Sequence, residues 1–178
     1  NRTTASASAS HAEGSLTTAS ASASHAEGNN TTASGDYGSH SEGYLTTASG
    51  TSSHAEGRET TASGNYSHAQ GYLTKASGDY SHAGGLGTIA SGLGSVSFGG
   101  YQSTVGFPLG VAILPHPTSA TTSGSFAIGG GTLASGLNSF AINSRTSATG
   151  RNSYSQGELT TASGVGSHAE GYNTIASG

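Results

Sequence analysis

The chain has few of the residues from which a globular domain builds its core. Its 178 residues include no cysteine, methionine or tryptophan, and 31% are hydrophobic, against roughly 45–50% in an average domain. The absence of cysteine excludes disulfides and thiolate metal sites. The small apolar fraction excludes a conventional packed core, because burial of so little apolar surface cannot offset the entropy lost on ordering the chain.

Charged residues are equally scarce, at 8% with a net charge of −4. Disordered segments of low hydrophobicity usually carry a high net charge, so this composition argues against simple disorder. The five Lys and Arg residues are scattered singly, and we therefore expect no nucleic-acid partner. No segment has the length and apolar character of a membrane span, so we expect no membrane contact by these residues.

What the chain has instead is glycine, serine, threonine and a repeat. Units of fourteen residues, such as YLTTASGTSSHAEG at 44–57, run in one phase through about twelve copies, including a degenerate one, YQSTVGFPLGVAIL, at 101–114. Each unit holds two runs, T-x-A-S-G and S-H-A-E-G, and each run is followed by two variable residues. Small residues alternate at period two within each run, which indicates strands and not helices.

One unit therefore predicts one coil of an all-β, single-stack β-solenoid, in which successive coils lie about 4.8 Å apart along the axis. Glycines at the seventh and fourteenth positions would supply corners with φ > 0. Alanines such as Ala5 and Ala12 would face each other in a thin interior. We expect one domain over residues 1–178, with regular coils at 1–99 and 116–178. Residues 100–115 would be an irregular coil between subunits, or a projecting receptor loop.

The two strands of a coil present different groups outward. If Ala12 points inward, His11 and Glu13 point outward, and the central coils carry large apolar groups at the same positions. Such an apolar row is too large to be left exposed to water, so closed rotational assembly with other chains is the natural solution. We predict a subunit interface along these positions: His11, Glu13, His25, Glu27, His40, Glu42, His54, Glu56, His68, His82, Val96, Phe98, Val111, Ile113, Phe126, Ile128, Phe140, Ile142, His168 and Glu170.

The other strand presents an outer ladder of threonines, interrupted by Lys75: Thr4, Thr18, Thr32, Thr47 and Thr61. A neutral threonine and serine surface is typical of a solvated face. The paired threonines, such as Thr17 and Thr18, also match the flat ladders that ice-binding solenoids use. An ice-binding or glycan-binding function through this face is therefore the alternative to a structural one.

The repeated Ser-His-x-Glu pattern raises the question of chemistry. Ser53 and His54 are neighbours in one strand and point to opposite faces, so we expect no nucleophile–base pair and no enzyme. Imidazoles from several chains around one rotation axis would suit zinc or nickel, but His and Glu can satisfy each other by hydrogen bonds. We therefore assign no catalytic residue, no metal ligand and no cofactor. Pairing with Glu would raise each His pKa and crowding of imidazoles would lower it, and both outcomes stay open.

The units SVSFG (95–99), SFAIG (125–129) and SFAIN (139–143) resemble the head repeat of YadA-like trimeric autotransporter adhesins. The resemblance covers essentially the whole chain, although His and Glu replace the two aliphatic residues common in that family. It implies a left-handed parallel β-roll and a parallel homotrimer whose inner strands face the threefold axis. It also implies a non-enzymatic, extracellular virulence module at a cell or virion surface, attached to host matrix or glycan. Similar repeats occur in phage tail fibres and Gram-positive surface proteins, so a tail-fibre segment is a further alternative.

Overall fold

The chain forms a parallel β-solenoid of about eleven coils. The structure is a computed structural model that describes residues 2–100 and 117–178, and within those ranges every regular element is a strand. The strands form one 12-stranded sheet and one 11-stranded sheet, between which the chain alternates. The predicted all-β parallel β-solenoid is confirmed. Within the described ranges, no helix has the length and hydropathy needed to cross a bilayer.

The two sheets differ in strand length. The short-strand sheet contains β1 (Thr4–Ala5), β3 (Thr18–Ala19), β5 (Thr32–Ala33), β7 (Thr47–Ala48), β9 (Thr61–Ala62), β11 (Lys75–Ala76), β13 (Ile89–Ala90), β15 (Ser119–Ala120), β17 (Leu133–Ala134), β19 (Ser147–Ala148), β21 (Thr161–Ala162) and β23 (Ile175–Ala176). The long-strand sheet contains β2 (His11–Ser15), β4 (His25–Asn29), β6 (His40–Tyr44), β8 (His54–Arg58), β10 (His68–Tyr72), β12 (His82–Leu86), β14 (Val96–Gly100), β16 (Phe126–Gly130), β18 (Phe140–Ser144), β20 (Tyr154–Glu158) and β22 (His168–Tyr172). Each strand pairs in parallel with its equivalent in the next coil, so equivalent residues stack.

The described residues form about eleven coils, whereas the sequence predicted about twelve. Val96 of β14 pairs directly with Phe126 of β16, and Ile89 pairs directly with Ser119. Strands that are hydrogen-bonded neighbours leave no space for another strand between them. Residues 101–116 lie outside the described residues, and the division at 100–115 stays a prediction.

The interior is a column of alanines flanked by threonine and serine. Ala19 and Ala26 are fully buried, and so are their equivalents through Ala162. Near the start of the stack, Ala12 packs against this column partly buried and Ala5 is exposed. The predicted inward alanines are thus confirmed between the two ends of the stack. Because each alanine buries one methyl group, worth about 0.8 kcal/mol, hydrophobic burial inside one coil is small and the ladder of backbone hydrogen bonds has a correspondingly large role.

Glycine occupies two kinds of corner for two different reasons. Gly57, at a fourteenth position, has φ +108, and an added Cβ would lie 2.2 Å from the carbonyl oxygen of Gly71. Gly50, at a seventh position, has no positive φ, but its Cβ would lie 2.0 Å from the carbonyl oxygen of Gly64. The predicted positive φ is confirmed at the fourteenth position. It was wrong at the seventh, where the close approach of the next coil is the constraint.

The variable corner pairs require a left-handed backbone conformation that the sequence did not reveal. The second residue of a pair is left-handed even when it is not glycine, as at Leu45 and Tyr66, both with φ 56. Such a conformation costs an L-residue about 1–2 kcal/mol. Hydrogen bonds between coils offset this cost, because the Leu45 amide donates to the Asn29 carbonyl at 3.0 Å and the Tyr66 amide to the Thr51 carbonyl at 2.8 Å.

Replacement of a fourteenth-position glycine by alanine should be far more disruptive than replacement of an exposed corner glycine. Gly57→Ala combines a strained φ with overlap on the backbone of the next coil, and we expect a loss of about 3 kcal/mol or more. Gly94→Ala is the matched control, because its φ of +61 is near that of Ala23 and its added Cβ meets no atom within 4 Å. Urea unfolding of both variants measures the difference. Equal losses would show that stacking does not constrain the fourteenth position.

Candidate functional site

The candidate functional site is a ladder of outward side chains on the long-strand sheet, formed by the first and third residues of each strand. The first row contains His11, His25, His40, His54, His68, His82, Val96, Phe126, Phe140, Tyr154 and His168. The third row contains Glu13, Glu27, Glu42, Glu56, Gln70, Gly84, Phe98, Ile128, Ile142, Gln156 and Glu170. All the residues assigned to the interface from the sequence lie in these rows, except Val111 and Ile113, which are outside the described residues.

Sequence reasoning missed two members of the outward ladder. Tyr154 stands opposite Phe140 and His168, and Gln156 stands opposite Ile142 and Glu170. Neither residue has the chemical type found in the neighbouring units, so composition gave no signal for them. Position within the fourteen-residue unit at 144–157 was the signal that could have identified both, because Tyr154 and Gln156 stand at its eleventh and thirteenth positions, as His54 and Glu56 do in the unit at 44–57.

The rings of the first row form stacked columns whose spacing is that of the strands. His25, His40, His54 and His68 stack face to face, with successive centroids 4.6, 4.7 and 4.8 Å apart and ring planes within 7°. The Phe126 and Phe140 rings stack in the same way, at 4.8 Å and 3°. In-register parallel pairing imposes this distance on any side chain that repeats from coil to coil.

Histidine and glutamate approach each other along the ladder without forming hydrogen bonds. The imidazole Nε2 to carboxylate oxygen distance is 3.6 Å for His11 and Glu13 and 3.5 Å for His40 and Glu42. These distances exceed the usual ~2.7–3.2 Å of an N–H···O hydrogen bond. The buried Nε2 atoms that have no hydrogen-bond partner in the described chain belong to His25, His40, His54, His68 and His82. The predicted hydrogen-bonded pairing is therefore absent within one chain over the described residues, and pairing with a neighbouring chain stays a prediction.

Burial is the main cause of a lowered pKa at two histidines, His54 and His82. Desolvation lowers the pKa of His54, and the neighbouring charge of His68 lowers it further, while Glu56 and Glu42 oppose the shift. The pKa of His82 is lowered by burial first and by His68 second, against a smaller raising effect of Glu56. Of the two alternatives that the sequence left open, lowering is the one found at these positions. The folded state therefore favours neutral imidazoles there.

The Ser-His-x-Glu motif does not assemble a hydrolytic site. Ser53 is buried on the inner side of its strand, whereas His54 points outward into the ladder. The two side chains therefore lie on opposite faces, as the strand alternation predicted.

Three other side chains form a group of possible metal ligands. Ligand atoms of Glu42, His54 and Glu56 lie within 4.8 Å of one another. Such a group could hold a metal ion.

The outer ladder on the short-strand sheet is one threonine wide. Thr4, Thr18, Thr32, Thr47 and Thr61 stack in register and are half-buried. The preceding threonines do not join them, because Thr17, Thr31, Thr46 and Thr60 are fully buried in the interior. The expectation of paired outward threonines was wrong. Strand alternation sends one threonine of each pair inward, and Lys75 and Ile89 continue the outer row beyond Thr61.

Aromatic and cationic groups also stack along the corners. The rings of Tyr66 and Tyr80 lie 5.1 Å apart at 10°, and both residues are exposed. The guanidinium of Arg58 lies 5.5 Å from the Tyr44 ring and 5.2 Å from the Tyr72 ring. Cation–π attraction of this kind supports the corner, and it accounts for tyrosine at positions where the sequence indicated free variation.

A family comparison agrees with this architecture. The family model described as the YadA head domain repeat, which spans two copies of the repeat, matches residues 41–67, 62–88, 119–142 and 155–178. Together these segments cover more than half of the chain. The chain belongs to the YadA head repeat family. The resemblance inferred from the SFAIG-type units is thereby confirmed. YadA head repeats are structural β-solenoid modules of adhesins. A search of curated proteins found no match to the chain.

Acid should weaken the histidine part of the ladder. Because the pKa of His82 is lower in the fold than its usual 6.5, the unfolded state binds more protons than the folded state as the pH falls below about 6.5. The contribution of neutral His82 to the free energy of unfolding is fully present above about pH 6.5, and it is lost as the pH falls through the pKa of His82 in the folded state. His82→Val, which extends the row from Val96, should therefore flatten the decline of the melting temperature between about pH 7.5 and about pH 5.5.

The control for this measurement is His168→Val, since the His168 side chain is 59% exposed at a rung beside Tyr154. Melting is followed in a chelating buffer so that metal ions do not contribute. We expect the control to keep the pH dependence of the unsubstituted chain. If the His82 substitution left that dependence unchanged, burial of the histidine would not be its source.

Proposed function

We propose that the chain is the head or fibre module of a parallel homotrimer, in which the long-strand sheets of three chains face a common axis. The observation that carries this proposal is the apolar part of the outward ladder. Phe126, Ile128, Phe140 and Ile142 lie outside the alanine interior and are half-buried by their own neighbours along the ladder. Large apolar side chains in a contiguous row favour cover by another chain.

The regularity of the ladder supports a symmetric assembly. Equivalent residues repeat in register along the sheet, for example Phe126 beside Phe140 and His40 beside His54, so each chain offers the same linear surface. Parallel chains around a threefold axis would place each residue near its own copies, which satisfies the surface with one kind of contact. The proposed coil is left-handed, as the family resemblance implies. The histidine rungs would be structural members of this interface and would need no metal for assembly.

The surface that remains outside such a trimer suits display and attachment. The short-strand sheet faces outward with half-buried threonines, such as Thr18, Thr32 and Thr47, on a regular hydrogen-bonded frame. We propose a non-enzymatic role at the cell or virion surface, with attachment to host extracellular matrix or glycan through broad areas of this exterior. The same rigid rod would serve as a segment of a phage tail fibre.

The trimer is tested by the mass of the chain in solution. Light scattering at micromolar concentration should give three times the chain mass of 17.3 kDa. Phe126→Asp should abolish or severely weaken the assembly, because unpaired carboxylates buried at an axis cost several kcal/mol each. Thr47→Asp, on the outer ladder, should leave the mass unchanged, because surface substitutions usually stay within about 0.5 kcal/mol.

A monomer mass for the unsubstituted chain would contradict the trimer. If both aspartate variants disrupted the assembly equally, the assignment of the inner and outer faces would be incorrect. Circular dichroism of each variant separates the loss of assembly from the loss of the β-solenoid itself.

Ice binding by the outer ladder is the alternative that an assay can separate from the structural role. The ladder is a single threonine wide over five coils before Lys75 interrupts it. We therefore expect no thermal hysteresis from the purified chain. A freezing-point depression that Thr47→Lys removes would make the outer ladder an ice-binding surface and would displace the proposal of a structural module.

A further inference from the structure

The glutamates of the ladder form a row of like charges. Glu13, Glu27, Glu42 and Glu56 stand opposite one another in four consecutive strands. Like charges in directly opposite positions of a sheet are destabilising. In residues 2–100 and 117–178, the charged contacts of these four acids are with histidines and not with Lys or Arg. An imidazole supplies a full counter-charge only when it is protonated, so this row attracts a cation.

His54 differs from the other histidines beside these acids. Glu42 makes its contact with His40, at 3.5 Å, and Glu56 makes its contact with His68, also at 3.5 Å. His54 takes part in none of the His–Glu contacts of the described chain. Its buried Nε2 has no hydrogen-bond partner there. An imidazole nitrogen of His54 thus lies within 4.8 Å of a carboxylate oxygen of Glu56, from its own coil, and of Glu42, from the preceding coil.

We propose that Glu42, His54 and Glu56 bind one divalent first-row cation, for which Zn²⁺ is the best match. Their ligand atoms lie within 4.8 Å of one another. One imidazole nitrogen and two carboxylate oxygens are ligands that zinc accepts, and water would complete a tetrahedral shell. Bonds of about 2.0–2.2 Å require the ligand atoms to move closer together. The carboxylates have that freedom, since the Glu42 and Glu56 side chains are 41% and 33% exposed.

This site adds to the ladder and does not replace its structural role. The fold does not depend on it, because the rung of His82 and Gly84 stacks in the same register with no acid at all. All three ligands belong to one chain, so the site stands whether or not the proposed trimer forms. The cation would relieve the repulsion between Glu42 and Glu56, and binding to the folded chain alone would raise its stability.

The test is calorimetric titration of the EDTA-stripped, dialysed chain with Zn²⁺, accompanied by melting with and without the ion. We expect one ion per chain, a higher melting temperature with zinc, and a folded chain without it. Glu56→Gln should weaken binding at least about tenfold. This substitution preserves shape, and Gln70 already occupies the next rung. Melting in EDTA verifies that the variant is folded.

Two matched controls distinguish coordination from general attraction to acidic side chains. Glu170→Gln changes the same His-x-Glu motif at a rung whose neighbour offers Gln156 and no second acid. Glu13→Gln removes the first acid of the same row. Both variants should keep the zinc affinity of the unsubstituted chain, and millimolar Mg²⁺ should not compete. Equal weakening by Glu13→Gln and Glu56→Gln, effective competition by Mg²⁺, or no zinc binding would each overturn the proposal.

Discussion

The constraint on which the rest of the structure depends is that each coil lies one β-strand spacing from the next. Residues of one coil stand directly opposite the same residues of its neighbours, as with Gly57 beside Gly43 and Gly71. A Cβ at these corners would enter the neighbouring backbone, which explains the glycine that recurs at the fourteenth position. The same contact keeps the interior so thin that alanine fills it. A residue type suited to one coil is therefore suited to all of them, and the repeat in the sequence is the direct result.

A thin interior shifts the source of stability to the outside of the coil. Alanine methyl groups bury little apolar area, whereas conformational entropy opposes the ordering of every residue. Backbone hydrogen bonds between coils supply part of the difference. The outward ladder adds further apolar contact, because the half-buried Phe126 and Phe140 rings stack on each other. The thin interior is thus the physical reason why we propose association with further copies along this ladder.

The sequence predicted the strands, the inward alanines and the outward histidines because each depends on periodicity alone. Features that depend on close approach in three dimensions were not predictable in the same way. Gly50 is required by a carbonyl oxygen of the next coil and not by its own φ, and the left-handed Leu45 and Tyr66 have no sequence marker. The direct pairing of Val96 with Phe126 became visible only in three dimensions. Likewise, whether His54 contacts Glu56 or leaves it to His68 depends on rotamers that a repeat cannot specify.

Stacking in register multiplies unfavourable contacts as well as favourable ones, and this gives the two parts of the ladder different properties. Aliphatic and phenyl groups, such as Val96, Phe126 and Phe140, repeat along the ladder without repulsion between charges. The imidazoles stack 4.6–4.8 Å apart, and burial lowers the pKa of His54 among them, so that its neutral form is favoured. Carboxylates in directly opposite positions of the adjacent row repel one another, and a neutral imidazole does not balance their charge. A bound cation between Glu42 and Glu56 resolves this conflict, since it reduces the repulsion in the acid row while leaving His54 unprotonated. If this cation site is occupied, we expect the histidine part of the ladder to be the part whose stability depends on pH and on ions.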